Sequence, residues 1–177
     1  DLAASGLVAT DMRVRPLTQA ERHSTGSPMN VDGYVIPYYD IAGKPLPFYR
    51  VKLLNWDPKY KQLVNEPNHI YFPPGFWEQA RNADYILLTE GEKKAVCAQK
   101  HGFACVAVGG VDSWSNRQVS LPKDTKLAKT KDGRVVAKIT AGQEINTHSS
   151  TLATGMKELI AFLVQTDKPL IIVYDSD

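Results

Sequence analysis

Apolar and polar positions along this chain follow two different regimes. From position 85 onward, short apolar runs alternate with amphipathic stretches. Tyr85–Thr89 and Cys105–Val108 read as strands, and Glu92–Lys100 between them reads as a helix whose inner face is carried by Ala95, Val96, Cys97 and Ala98. Leu152–Gln165 places Leu152, Met156, Leu159, Ile160 and Leu163 at helical spacing, and Leu170–Tyr174 is a last apolar strand. Strand, helix, strand, helix, strand predicts an α/β fold with a parallel sheet and right-handed crossovers. The interval 112–151 interrupts this pattern as a long insertion, with Asp132-Gly133 at the centre of a predicted β-hairpin.

The first half is patterned differently. Leu2–Ser5 predicts a helical turn stopped by Gly6, followed by a polar connection reaching Val31. Tyr34–Tyr39 and Pro47–Leu54 read as a β-hairpin closed by the Asp40–Lys44 turn, with Pro37 and Pro47 suited to an edge or irregular pairing. Asn55–Pro67 reads as loop and His69–Phe72 as a short extended piece. Pro73, Pro74 and Gly75 then break the chain before a short helix, Phe76–Asn82. The expected organisation is a small mixed α+β subdomain over 1–84 followed by an α/β domain over 85–177.

Composition narrows the class only loosely. The 177 residues are 43% hydrophobic and 23% charged, as in ordinary globular proteins. No apolar run approaches a membrane span, and the start DLAASGL lacks the basic and apolar regions of a secretory signal, so the expectation is a cytoplasmic protein without membrane partners. Cys97 and Cys105 are too few for a disulfide framework and wrongly spaced for zinc, which leaves them as small buried apolar residues. The net charge of +2 is uninformative, but its distribution is not. Arg50, Lys52, Lys59 and Lys61 cluster against Asp57 alone, and Arg117–Lys138 carries seven basic residues against Asp124 and Asp132. Such clusters are candidate phosphate contacts, and they are equally what a solvated face looks like.

The candidate chemistry sits at strand ends. In an open α/β sheet, ligands gather where strands end and helices begin. Glu90 follows the strand Tyr85–Thr89, Gly91 lets the backbone turn into the next helix, and Asp175 and Asp177 follow the last strand. Three carboxylates on neighbouring strand ends repel one another until a hard divalent cation enters, so Glu90, Asp175 and Asp177 form a candidate Mg²⁺ or Mn²⁺ site for phosphoryl chemistry. Lys93 and Lys94 open the following helix and either contact phosphate or face water. Asp112 and Trp114 read as turn and surface residues beside a strand end, and Thr151 or Ser150 as a helix cap.

These residues resemble a known family. Thr89-Glu90-Gly91-Glu92-Lys93-Lys94-Ala95 after an apolar strand, with a closing Tyr174-Asp175-Ser176-Asp177, looks like the Toprim domain of bacterial-type primases, topoisomerases and certain nucleases, and is most similar to the Toprim-like domain of phage and plasmid primase-helicase replication proteins. Upstream, Ile36–Asp40, Gly43, Tyr49-Arg50, Pro58-Lys59-Tyr60 and Asn65–Pro67 stand in the order found in the catalytic core of bacterial primase. The resemblance covers 33–110 and 170–177. It implies a Toprim, Rossmann-like parallel sheet truncated at its C-terminus, in a fragment of a longer protein. It also implies DNA primase activity, in which RNA primers are made on single-stranded DNA from nucleoside triphosphates, with a helicase domain or subunit as partner. Glu90, Asp175 and Asp177 would then be catalytic and metal-binding, and Arg50, Lys52, Lys59, Tyr60, Lys61, Lys93 and Lys94 would contact nucleic acid or nucleotide. Bacterial primase has an acid where Lys94 stands here. A Toprim nuclease and a non-catalytic DNA-binding module of a replication protein are the alternatives.

Overall fold

A computed structural model describes residues 1–120, 126–129, 135–138 and 146–174. The first half is organised by a hairpin of β2 (Gly33–Tyr39) and β3 (Pro45–Leu53), placed in a four-stranded sheet between β1 (Arg15–Pro16) and β4 (Tyr60–Gln62). The hairpin turn is closed by Asp40, whose Oδ1 accepts the backbone N–H groups of Ala42 (2.9 Å) and Lys44 (2.8 Å). This is the local reason an aspartate opens the turn. Pro37 is tolerated inside the sheet for two reasons: β1 reaches only Tyr34 and Val35, and the β2–β3 register shifts between Pro37 and Tyr39. β4 lies within the stretch expected to be loop and is held by pairing with β3, since three residues carry too little periodicity to announce a strand.

The polar connection expected up to Val31 is in fact partly helical. The helical turn expected at Leu2–Ser5 is present as a 3₁₀ turn (Ala3–Ser5) closed by Gly6, and α1 (Ala9–Met12) and α2 (Gln19–Thr25) occupy the connection after it. Thr18 caps α2 with its side-chain oxygen on the Glu21 N–H, while Glu21 reaches back to the Thr18 N–H at 3.0 Å, a reciprocal arrangement that stabilises a helix with little apolar periodicity.

The second half is a three-stranded parallel sheet in the order β11–β5–β6, formed by β5 (Ile86–Glu90), β6 (Cys105–Val108) and β11 (Leu170–Val173). It is a mixed α/β architecture, as the alternating pattern predicts. α4 (Glu92–Lys100) joins β5 to β6, and α5 (Met156–Thr166) leads back to β11 on the far side of β5. Cys105 and Ala107 of β6 belong to the same apolar cluster as Ala95 and Val96 of α4, whereas Val106 and Val108 belong with Met156 and Leu159 of α5. Alternate β6 side chains point to opposite faces, so the two helices cover opposite faces of the sheet. The α5 face also receives α3 (Phe76–Asn82) through Phe76, Trp77 and Ala80. The α4 face receives the hairpin through Ile36, Tyr38 and Phe48. His69–Phe72 is extended as expected, with Tyr71 bridged antiparallel to Ala107 and His69 bridged to Thr154. Among the described residues, no helix is long and apolar enough to cross a membrane.

Three expectations need correction. Leu152 and Thr151 are not in the second helix or its cap. They belong to β10 (Asn146–Leu152), which pairs antiparallel with β7 (Ser115–Ser120), and α5 starts only after Gly155. Ladder pairing outweighs the helical spacing that Leu152 shares with Met156. The last strand is not buried: Ile171, Ile172 and Val173 are 43%, 60% and 48% exposed at one end of the sheet, whereas β6 at the other end is buried and bridged by Tyr71. Finally, Cys97 is only half-buried, while burial pushes the Cys105 thiol up to about 12. Within the insertion, β8 (Lys126–Lys129) and β9 (Val135–Lys138) pair antiparallel as the expected hairpin, with the Asp132-Gly133 turn itself outside the described residues.

Lys168, between α5 and β11, ties the two halves of the α5 face together. Its ammonium donates to the carbonyls of Ala80 (3.0 Å), Arg81 (2.9 Å) and Ala83, at the end of α3. Those are the carbonyls a helix leaves without intrahelical partners, where a cation is favoured. Lys168→Met is expected to cost about 1–2 kcal/mol in chemical denaturation without changing the slope of the transition. His69 supplies a pH signature: its ring stacks on Phe48 at 3.9 Å between centroids, and burial holds its imidazole down at about 4. An unfolded histidine takes a proton near about 6.5. Stability present above that value is therefore lost as pH falls from about 6.5 towards about 4, because the unfolded chain binds the extra proton. Denaturation midpoints measured from pH 7 to pH 5 are expected to fall, and to fall less in His69→Phe.

Candidate active-site edge

The in-register parallel pairs Thr89↔Val173 and Glu90↔Val108 mean that β5, β6 and β11 end together. Glu90, Gly109 and Tyr174 therefore leave the sheet along one edge. Gly91, at φ 89°, turns the chain from β5 into α4 and donates its N–H to the Val108 carbonyl at 2.9 Å. The Glu90 side chain is half-buried and makes no hydrogen bond or ion pair among the described residues, so its carboxylate is open to a cation. The Tyr174 hydroxyl is pushed up, first by burial and then by the Glu90 charge, which places the two side chains in one another's field. Asp175 and Asp177 lie outside the described residues. Among the described residues no three His, Cys, Asp or Glu side chains converge as a metal site. Glu90 is thus the described member of the expected carboxylate set.

A second glutamate has a role that the sequence analysis did not assign. Glu92, expected merely to open a helix, is 1% exposed. Its Oε1 accepts hydrogen bonds from the Tyr38 hydroxyl (2.7 Å) and from Arg50 Nη1 (2.6 Å). Arg50 Nη1 also donates to the Gly109 carbonyl at 3.2 Å. A Cβ on Gly109 would stand 2.6 Å from that nitrogen, so the guanidinium reaches the strand end only because position 109 has no side chain. Burial by itself lowers the Arg50 pKa, but the adjacent Glu92 carboxylate outweighs it and holds the group above its ordinary value. Glu92 Oε2 and Arg50 Nε are buried without partners, so the pair is desolvated and incompletely satisfied.

The strand register explains which basic residues meet there. Ile36↔Arg50, Tyr34↔Lys52 and Lys52↔Tyr60 are opposed across the hairpin sheet, so Arg50, Lys52 and Tyr60 share the face that carries Tyr34, Ile36 and Tyr38. The Arg50 guanidinium carbon lies 5.0 Å and Lys52 Nζ 4.2 Å from the Tyr60 ring centre. Lys52 is 7% exposed, and its pKa is lowered first by burial and then by the charges of Lys93 and Lys59. Lys52 therefore lies in the field of Lys93, Lys59 and Glu92.

The other candidates fall elsewhere. Lys61 opposes Val51, on the reverse face, and donates to the Gly26 carbonyl. Lys93, although in the field of Lys52, has its ammonium paired with Asp1 at 3.1 Å. Lys94 is exposed on α4, while Asp112 and Trp114 are exposed beyond β6. The signal for Glu92 was available in the hairpin: a basic residue at position 50, opposite Ile36 on an inward face, requires an acid from the element packed over it.

Residues 76–146 match the model of a domain of unknown function, DUF3854. The matched span takes in α3, β5, α4 and β6, and so includes Glu90, Glu92 and Gly109, but not Arg50 or the last strand. No curated protein and no solved structure matches the chain.

The buried pair makes a direct prediction. Arg50→Met leaves the Glu92 carboxylate uncompensated and is expected to cost about 3–5 kcal/mol. The double variant Arg50→Met/Glu92→Met should recover most of that loss, since it removes both desolvated charges. Urea denaturation of the two single variants and the double variant gives the coupling energy, and additive losses would show that the pair does not act as a unit.

Proposed function

We propose that this chain is a Toprim-type catalytic module for metal-dependent nucleotidyl transfer, making RNA primers on single-stranded DNA in the replication of a phage, plasmid or other mobile element. The observation that carries the reading is the shared edge of β5 and β11. Thr89 pairs with Val173, so Glu90 and Tyr174, the residue that precedes Asp175 in the sequence, leave adjacent parallel strands at the same end. Lys52, with Lys59 and Lys93 in its field, supplies the positive charge that a polyanionic substrate requires.

In this reading Glu90, Asp175 and Asp177 would hold Mg²⁺ or Mn²⁺, which would neutralise charge developing on the transferred phosphoryl group. Lys52 and Lys59 would hold template or triphosphate oxygens, and Lys93 would exchange Asp1 for a phosphate. Tyr60 offers an aromatic face beside them. Arg50 has its Nη1 engaged by Glu92 and Gly109, so its role is to position the basic strand over the carboxylate edge. A helicase domain or subunit is the expected partner in such a system.

The test incubates the chain with single-stranded DNA, labelled ribonucleotides and Mg²⁺ or Mn²⁺, beside Glu90→Ala, and reads synthesis and template on one denaturing gel. Short labelled products reduced by at least about 100-fold in the variant are expected, on the scale of losing one electrostatic element of a phosphoryl-transfer site. Shortened template in place of products would transfer the same edge to a nuclease. Salt-sensitive DNA binding that ignores divalent cations, with neither activity, would make the chain a binding module.

A further inference from the structure

The long interval between β6 and α5 forms a β-ribbon rooted beside the Glu90 edge. β7 and β10 pair antiparallel from Ser115↔Leu152 to Ser120↔Asn146, and β8 and β9 pair antiparallel from Lys126↔Lys138 to Lys129↔Val135. The second pair lies inside the first in chain order, so the four strands are nested. Tyr71 runs antiparallel to Ala107, so the step back from Tyr71 to Asn68 leads to the carboxyl end of β6, where Glu90 pairs with Val108. Asn68 holds the root of the ribbon there. Its backbone N–H donates to Asn116 Oδ1 at 2.6 Å and its side-chain amide to the Ser115 carbonyl at 2.9 Å. Asn116 Nδ2 in turn donates to the Leu152 carbonyl at 3.3 Å, which ties the two root strands together.

The charge of this interval is unlike that of the rest of the chain. Residues 117–138 hold seven basic residues and two acidic ones, which leaves fourteen basic and seventeen acidic residues elsewhere. Net positive charge is thus confined to the ribbon, and the remainder of the chain is net negative. An ordinary solvated surface intersperses both signs. The strand register adds a second observation, because Lys126 stands directly opposite Lys138. Like charges opposed on an antiparallel pair destabilise it, and a two-stranded ribbon is marginal in water to begin with. An anion shared by the pair removes that repulsion. Lys129 lies further along β8 and Arg117 in β7, nearer the root, so basic positions are spread along the nested strands. A row of that kind suits a polyanion rather than a single small anion. At the root, Trp114 is 44% exposed and offers a ring to an unpaired base.

We propose that the β7–β10 ribbon is an arm that grips the phosphate backbone of single-stranded DNA beside the Glu90 edge, with Arg117, Lys126, Lys129 and Lys138 as the contacts. Charge complementarity selects a nucleic acid as the occupant. Its single-stranded form follows from the root of the arm, which stands where the proposed reaction meets its template, and in that respect the inference rests on the reading of the Glu90 edge. Neutralising the opposed lysines would then stabilise the ribbon only when the strand is bound.

The experiment measures binding of a fluorescein-labelled oligothymidylate to the whole chain by fluorescence anisotropy across a salt titration, with EDTA and without ribonucleotides. Lys126→Gln/Lys138→Gln is compared with Lys44→Gln/Lys157→Gln, which removes the same charge from exposed positions elsewhere. The ribbon variant is expected to bind at least roughly tenfold more weakly at low salt, with the slope of log K against log[salt] smaller by about 1.4, the share of two single-strand phosphate contacts. The comparison variant is expected to stay within about twofold of the unmodified chain. Lys138→Glu separates binding from folding, because it sets opposite charges across the ribbon: weaker binding with an unchanged circular dichroism spectrum is expected. Equal losses in the two double variants, or an unchanged slope in the ribbon variant, overturn the proposal. Tighter binding of a duplex of the same length, lost in the same variant, overturns the assignment to a single strand. The measurement contains neither divalent cation nor ribonucleotide, so a failure of the arm is distinguishable from a failure of the Glu90 edge to make primers.

Discussion

The contact between Glu92 and Arg50 is the constraint on which the arrangement of this protein depends. A carboxylate at the first turn of α4 and a guanidinium in the middle of β3 are both removed from water and meet at 2.6 Å, with the Tyr38 hydroxyl on the same oxygen. Desolvating two charges is expensive, and their attraction repays it only while the geometry is kept. The pair therefore acts less as a source of net stability than as a condition on the packing. The hairpin can lie on the α4 face only in the position that brings Arg50 to Glu92.

That position decides what surrounds the strand-end edge. With Arg50 seated against the Gly109 carbonyl, the alternation of β3 and β4 brings Lys52 and Tyr60 alongside it and turns Lys61 to the reverse face. Lys52 is then buried among like charges from Lys59 and Lys93, a repulsion that an incoming anion would relieve. At the other end of the hairpin a cavity of about 270 Å³ lies between the 40–43 turn, Phe72 and α3.

Much of this was legible in the chain. The helices Phe76–Asn82 and Glu92–Lys100 and the strand Cys105–Val108 have the bounds their patterns predict, because each is delimited by a local signal: Pro-Pro-Gly before the first, Gly91 and Gly102 around the second, and Gly109-Gly110 after the strand. Where local signals were weak or in competition, the reading failed. β4 exists because β3 offers it a partner and Leu152 is in a strand because β7 lies beside it, whereas α2 had its local signal in the Thr18–Glu21 capping pair but little apolar periodicity behind it. Ladder pairing is a property of two segments, and neither segment carries it alone.

For the candidate site the division is similar. Position 90 at a strand end, a basic hairpin upstream and an alternating α/β pattern are properties of sequence order, and the sequence by itself determined them. Which strands would be neighbours, and hence that β5 and β11 end side by side, was decided by the sheet order β11–β5–β6. Tertiary packing also separated two glutamates only two residues apart. Glu90 ends a strand at an open edge, while Glu92 turns inward with the first turn of α4 and is buried against Arg50. The physical reason is that the sequence records a side chain's charge, whereas its solvation, and therefore what that charge can do, depends on elements brought together from 42 residues away.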